Sequence, residues 1–390
     1  MGNVRILRGR RDRAVLSSGL IALMAMGCGR DAHVEERPGP GAARAPVMIQ
    51  DHGSCPDCSI VFREVATLTD SDAPAGFRED AAGHDCMVGR LGSGGFVVSG
   101  VIGGGNVLLF HSDGTFSIAI GQRGQGPGEL SRDLRVLVGP GDSLFVMDDG
   151  QARMTLFDAG GTYHRSFPTP ATYRSFLRMP TGVYVFHRTS SGPGDDLFYV
   201  TDPEGSVLQS FGQPILRGRD AALDTWITAA SSGGGIWMTS IWNYQLQEVD
   251  LDGNGHRHLT NRVDWLPGGP PPLDELGLDN PPPPVIKHIW EDQEGGLLWV
   301  YGLVPSADWS PDLPLEPRNE WLNASFDMVV EVIDPEEASL LARERLADVF
   351  SQVCGSPLMY RVASGERLDT QMIITRPELI RGASIPVERP

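Results

Sequence analysis

Positive charge is scarce in this chain. Its 390 residues carry 32 Lys+Arg against 50 Asp+Glu, a formal net charge of −18, and Lys287 is the only lysine. Residues 1–27 hold five of the arginines and one aspartate, so the remainder stands at −22. A surface of that sign repels phosphate backbones, which excludes a nucleic-acid partner held by charge. Long apolar runs are missing too. After residue 26 no stretch reaches the roughly 20 residues that span a bilayer. What is abundant is Gly (48) and Pro (30), a fifth of the chain. Background usage is about 12%. No G-X-Y period accompanies them, so collagen is out. The excess implies many tight turns and hence many short elements.

The first thirty residues read as an address. Arg5, Arg8, Arg10, Arg11 and Arg13 form a basic opening, Ala14 to Met26 is a mostly apolar stretch, and Ala25-Met26-Gly27 marks a cleavage point before Cys28. The stretch is too short for a stable transmembrane helix. The pattern resembles a bacterial lipoprotein signal, although Ala25 and Met26 depart from its preferred residues. That resemblance implies cleavage before Cys28 and acylation of its side chain, with the membrane as a partner through the lipid. Gly29 in place of Asp then suits outer-membrane sorting, at the periplasmic face or the cell surface. The alternative is a plain secretory signal in which Cys28 is incidental. Residues 28–54, rich in Gly, Ala, Pro and Arg, read as a flexible tether.

A repeat of about 45 residues decides the architecture. One unit is clear in 135–167: RVLVG, SLFVMD, RMTLFD and TYHRSF, four short alternating runs parted by Gly/Asp/Pro turns. The third run and its turn recur as LLFHSDG, TLFDAGG, FYVTDPEG, LQEVDLDG and VEVIDPEE, with Gly114, Gly161, Gly205 and Gly253 spaced 47, 44 and 48 residues apart. The second run recurs six times, as GFVVSG, SLFVMD, GVYVFH, GIWMTS, GLLWVY and PLMYRV. Four-stranded antiparallel units at this spacing bury their faces against one another when set radially, which predicts an all-β, six-bladed β-propeller. The last unit lacks an outer strand after TQMIITR (370–376). SIVFREVATL (59–68) precedes the first complete unit and is expected to supply it, closing the ring. The propeller is expected to be a single domain over 55–390, with Pro-rich insertions near 261–284 and 303–322.

SLFVMDDGQARMTLFDAGGTYHRSF resembles the NHL repeat, and GQRGQGPGEL (121–130) resembles the inter-blade turn of bacterial six-bladed propeller lipoproteins. The likeness is specific over about 95–170. It implies an NHL-like propeller and little about activity, because that scaffold hosts binding modules, lyases and hydrolases.

Gly121, Gly124, Gly126 and Gly128 lack the Lys-Ser/Thr pair and following helix of a phosphate loop, so they read as a crossing between blades. His52, Cys55 and Cys58 form H-x2-C-x2-C. A metal site would want a second Cys/His pair nearby, and haem attachment would want His where Ser59 stands. A local Cys55–Cys58 disulfide in an oxidising compartment is preferred, with free thiols and metal ligation as alternatives. Cys86 falls near the start of one inner strand and Cys354 near the end of another. They are therefore expected at opposite ends of the channel, buried and unpaired.

Enzymes on this scaffold usually work through a metal at the channel mouth: lyase-type NHL propellers hold zinc with several His, lactonase-type ones hold calcium. Here only His84 and His288 fall near inner strands, which falls short of a zinc site, and no G-x-S-x-G elbow is present. No metal or other cofactor is assigned. Asp85, Arg135, Arg178, Lys287 and Gln352 also fall on inner-strand segments and could line the channel, whether as ligand contacts or as solvated polar residues. All eight Trp lie within 226–321. Trp226, Trp237, Trp290 and Trp299 lie on strand patterns and read as inter-blade core. Trp265, Trp309 and Trp321 sit in the Pro-rich insertions, where each either pins its loop or offers an apolar plate to a sugar ring or a peptide. The functional reading is a ligand-binding or protein-interaction module of the cell envelope. Candidate contacts are Trp265, Trp309, Trp321, Arg135, Arg178, Lys287 and His288, and the ligand would be a protein, peptide or glycan. A metal-dependent lyase or hydrolase and a structural spacer are the rivals.

Overall fold

The computed structural model describes residues 45–51, 55, 57–77, 86–99, 101–131, 134–169, 175–188, 196–212, 225–272, 279–313, 318–364 and 370–382. Six four-stranded antiparallel blades follow one another along the chain. Blade one is Val88–Arg90, Phe96–Val98, Val107–Phe110 and Phe116–Ile120, and blade two is Leu134–Val138, Leu144–Asp148, Arg153–Phe157 and Tyr163–Pro168. Blade three is Ser175–Arg178, Tyr184–His187, Phe198–Thr201 and Val207–Phe211, and blade four is Trp226–Ala230, Ile236–Ser240, Gln245–Val249 and Gly255–Thr260. Blade five is Val285–Glu291, Leu298–Pro305, Phe326–Asp334 and Ser339–Leu346. Blade six takes Ser351–Gln352, Met359–Ser364 and Thr370–Arg381 from the end of the chain and Cys58–Thr69 from its beginning. The closing strand pairs with Thr370–Arg381 from Cys58 opposite Arg381 to Thr69 opposite Gln371. All six repeated second runs are second strands.

The second strands are apolar at consecutive positions because each faces two neighbours. In blade two, Leu144 and Val146 pack with Val97, Val107 and Leu109 of blade one. Phe145 and Met147, pointing the other way, pack with Phe176, Tyr184 and Phe186 of blade three. Period-two alternation thus divides the side chains between two cores. Each fully buried Val, Leu or Phe contributes about 1.5–3 kcal/mol of transfer free energy. No blade has a dry partner of its own, which is why the units are stable only together.

The repeated turn glycines have a second role besides their left-handed backbone. An added Cβ would lie within 3.0 Å of the preceding blade at Gly114 (Thr67), Gly161 (Ile120), Gly205 (Phe167) and Gly253 (Phe211). Each turn is therefore pressed against its neighbour's outer strand. The crossing loop at 121–130 is held by Glu129, whose carboxylate accepts the Gly126 N–H at 2.7 Å and the Gln122 side-chain amide at 3.1 Å. Arg153 donates to the Gln125 and Gly126 carbonyls at 3.2 and 3.1 Å. These groups close the loop on itself, leaving it no phosphate-cradling geometry.

Two placements differ from the sequence reading. Residues 45–51 fall within the expected tether, yet Val47–Met48 adds in parallel to Leu259–Thr260 as a fifth strand on blade four. Gln50 then donates to the Ala338 carbonyl of blade five at 2.8 Å and accepts from Leu340 at 3.0 Å, and Ile49 between them is buried. The outer edge of blade four is thereby covered, as exposed edges commonly are. The second difference is a correction. Cys86 and Cys354 are neither unpaired nor at opposite ends of the channel; they form a disulfide with Cα atoms 5.0 Å apart. The inner strand of blade six is only Ser351–Gln352, and Cys354 lies in a parallel bridge with Gly89. The expected separation assumed a longer strand. Cys55 and Cys58 are also bonded, Cα to Cα 5.3 Å.

Candidate functional site in the axial channel

The inner strands converge on the axis, where they enclose a cavity of about 190 Å³. Blades two to six contribute to it, and Cys86, just ahead of the first strand of blade one, completes the circle. Its wall includes Cys86, Leu137, Phe176 with Arg178, Ile227 to Ala230, His288 with Trp290, and Gln352 with Cys354. The Cys86–Cys354 bridge is thus part of the wall. Among the described residues lining the cavity the charged chemistry is one guanidinium and no carboxylate. His84 and Asp85, two channel candidates from the sequence, lie outside the described residues.

Arg178 ends the inner strand of blade three, and its guanidinium is hydrogen-bonded to the Tyr184 hydroxyl. Burial pushes the Tyr184 phenol up to about 12, against the opposing charge of Arg178. Blade one repeats the arrangement: Arg90 ends its inner strand and lies over the Phe96 ring, 4.4 Å from the centroid. The spacing is the same in both blades, an Arg followed four residues later by Gly and two after that by Phe or Tyr. This Arg-x3-Gly-x-aromatic signal is legible in the sequence, although the repeat pattern alone does not single it out. Cavity residue Arg178 is therefore held by its own blade before any ligand arrives.

His288 is buried, 4% exposed, and desolvation with the charge of Lys287 holds its imidazole well below the ordinary value. It is accordingly neutral at pH 7. Lys287, at a bulge in the same strand, donates to Ser351 Oγ at 3.0 Å and is not among the residues lining the cavity. Arg135 is likewise absent from the wall and pairs with Asp149 at 2.9 Å. Of the polar candidates the cavity gathers Arg178, His288 and Gln352.

The insertion tryptophans are placed elsewhere. Trp265 lies edge-on to Tyr244, 5.9 Å between centroids, and its indole N–H donates to Glu331 at 3.2 Å. Its ring covers Gly302 so closely that a Cβ there would collide with it. Trp321, on the short helix Arg318–Ser325, lies edge-on to Phe326 at 6.2 Å and packs on the main core. Trp309 is half-buried in a turn, its main-chain N–H donating to the Ser306 carbonyl at 3.2 Å. None of the three lines the axial cavity. Trp290 does, although its strand pattern suggested inter-blade core alone. Among the described residues no three His, Cys, Asp or Glu side chains are grouped so as to hold a metal ion.

Fold and cavity together define a six-bladed β-propeller with an axial pocket. Residues 99–214 match the family DUF5128, described as a 6-bladed beta-propeller. No curated protein matches the chain. Among solved structures it is similar to a DUF4221 family member from Bacteroides vulgatus, at 11% identity and TM-score 0.63, covering 84% of this chain and 99% of that one. A Bacteroides fragilis protein described as exported is similar at 12% identity and TM-score 0.53, with 85% and 100% covered. At such identities the likeness shows the fold alone.

Proposed function

We infer that this chain is an exported, lipid-anchored, NHL-like propeller serving as a ligand-binding module of the cell envelope. Its ligand is a small molecule with an apolar body and an anionic group, seated in the axial cavity. The observation that carries this reading is the composition of the cavity wall: blades two to five supply apolar and aromatic surface, the Cys86–Cys354 bridge completes it, and there are one guanidinium at Arg178, a neutral imidazole at His288, and no carboxylate among the described lining residues. In a chain of net charge −18 that is a local exception. A half-buried guanidinium such as that of Arg178 recognises carboxylates and similar anions in a fixed geometry. About 190 Å³ is small beside the 300–1,000 Å³ typical of drug-sized ligands, which favours a compact acid.

Export is supported by the basic and apolar opening before Cys28 and by two disulfides that need an oxidising compartment. The anchor is tested by metabolic labelling with an alkynyl fatty acid. Labelling and membrane association are expected to disappear in Cys28→Ser, and their persistence would remove the anchor from the reading. Ligand binding is tested by thermal shift with a panel of aromatic and aliphatic monocarboxylates beside their uncharged amides. A carboxylate at 100 times its Kd stabilises the fold by about 2.7 kcal/mol. The shift is expected for acids only and is lost in Arg178→Met. Equal shifts for acids and amides, or no shift with any acid, would overturn the assignment.

A further inference from the structure

We propose that the groove between blades five and six binds an extended peptide of a partner protein, added as a β-strand to the edge of Arg376–Arg381. This goes beyond the axial site, with which the groove shares one wall residue, Trp290. The two neighbours of Thr370–Arg381 cover it unequally. Cys58–Thr69 pairs along it as far as Arg381, whereas Met359–Ser364 pairs only with Thr370 to Thr375. From residue 376 onward the second edge meets no strand among the described residues, and all six residues line a groove of about 660 Å³. A strand lines a groove with every consecutive residue when its edge, rather than one face, is turned toward it.

Which main-chain groups face the groove follows from alternation. The Gly382 N–H donates to the Asp57 carbonyl at 3.3 Å, on the side of the closing strand. Residues 376, 378 and 380 therefore turn their N–H and C=O groups that way, and Pro377, Leu379 and Arg381 turn theirs to the groove. Proline stands where it has no donor to withhold from the closing strand, as proline in edge strands does. Two N–H and three C=O groups remain for an incoming strand. Another main chain matches that row of donors and acceptors.

The facing wall suits the side chains of such a strand. Trp290 and Leu297 supply apolar surface over the buried Trp299 and Tyr301, with Asp292 and Glu294 beside them. Arg376 and Arg381 carry the charge of the strand side, while Glu378 is already paired with Arg63 at 2.7 Å. Two acids thus face two arginines, so the groove is close to neutral on a strongly acidic protein. Charge complementarity selects a peptide with apolar residues at alternate positions and charges of both signs flanking them. Strand and sheet spacings of about 4.8 and 10 Å allow the groove roughly four residues of extended chain. That is far short of the roughly 800 Å² per partner that a stable dimer buries, which excludes a second copy as the occupant. The molecule already completes one edge in this manner, with residues 47–48 on blade four.

The test is selection from a phage-displayed random heptapeptide library on the full chain, followed by backbone amide exchange with the best synthetic peptide. Enriched sequences are expected to alternate apolar and polar residues. The bound peptide should slow exchange at Leu379 and Arg381, two amides that meet no strand among the described residues. Affinity should fall at least tenfold in Leu379→Pro, which removes a groove-facing donor, and in the surface variant Arg381→Glu, which leaves the backbone intact. The proposal fails if no peptide is enriched, or if enriched peptides bind both variants as well as the parent. It fails equally if a glycan array yields binders that protect the same amides where peptides do not. Amides 379 and 381 that are slow in the free chain and fast after truncation at Gly382 would assign the groove to residues 383–390 and overturn it too.

Discussion

Cys86 and Cys354, 268 residues apart in sequence, are joined across the seam between the first and last blades, their Cα atoms 5.0 Å apart. The backbone follows the same course: the Cys354 N–H donates to the Val88 carbonyl at 2.8 Å, and Gly89 and Cys354 form a parallel bridge. The ring is thus closed twice, at the axis by this bond and at the rim by Cys58–Thr69 on Thr370–Arg381. Both devices act on blade six, whose inner strand is only two residues long.

Breaking the axial bond should destabilise the whole propeller. A cross-link closing a loop of this length restrains the unfolded chain by an amount worth about 5 kcal/mol on the chain-entropy account. Cys86→Ala with Cys354→Ala is expected to lower the melting temperature and steepen the effect of urea on the closing strand. The Cys55–Cys58 bond closes a short loop, so Cys55→Ala with Cys58→Ala should cost far less. Calorimetry of the two double variants checks the order, and a larger loss from the second pair would contradict it.

Gly205 predicts a steric cost at a turn that looks tolerant from its place between two strands. Its φ of +88° disfavours a Cβ, and that Cβ would strike the Phe167 ring of blade two. Gly205→Ala carries about 1–2 kcal/mol for the left-handed backbone and about 1–3 more for displacing the ring. Gly141 is the control: its φ is +62°, and an added Cβ meets nothing within 4 Å. Gly141→Ala should show the backbone cost alone. Urea unfolding of the two variants separates the contributions.

The six second strands, the turn glycines and the closing strand were legible because each is written in local periodicity. Strict alternation would report burial of one face only. Continuous apolar runs such as LFVM at 144–147 report burial on both, and the structure divides them between two neighbours. The Cys86–Cys354 contact was not legible, because it depends on the offset between parallel inner strands. A two-residue strand at 351–352 carries no period from which that offset can be read. Residues 47–50 were hidden for a similar reason: one buried side chain, Ile49, in a stretch otherwise composed like a linker. The pocket role of Trp290 depends on where blade five meets the axis, which strand patterning does not encode.

Glu331 joins two blades and should be costly to remove. It is fully buried and accepts from the Tyr244 hydroxyl, from the Trp265 indole at 3.2 Å and from Arg343 Nε at 2.5 Å. Burial together with the neighbouring carboxylate raises the Tyr244 phenol well above its ordinary value, so the hydroxyl remains a donor. Glu331→Ala leaves three donors without their acceptor, and a loss of about 3–5 kcal/mol is expected. Glu331→Gln retains one acceptor oxygen and should lose less. Near-ultraviolet circular dichroism, reporting Trp265 and Tyr244, should change in the alanine variant more than in the glutamine one.

His288 sets a pH dependence whose sign is fixed by its burial. Its folded pKa lies well below the unfolded value of 6.5, because desolvation opposes the imidazolium and Lys287 adds to the effect. Between the two values the unfolded chain binds a proton that the folded chain refuses. Stability therefore rises with pH across that window, by up to about 1.4 kcal/mol per unit, and the contribution is complete above 6.5. It is lost as pH falls from 6.5 toward the folded value. Carboxylates held low by hydrogen bonds, such as Asp158 and Asp250, titrate in a more acid range and do not interfere near pH 5 to 6.5. Urea unfolding at pH 7.5, 6.5, 5.8 and 5.0 should show the parent losing stability relative to His288→Gln below pH 6.5. The difference between the two proteins should be constant above that point; a difference equally constant below it would show that His288 takes up its proton in the folded state.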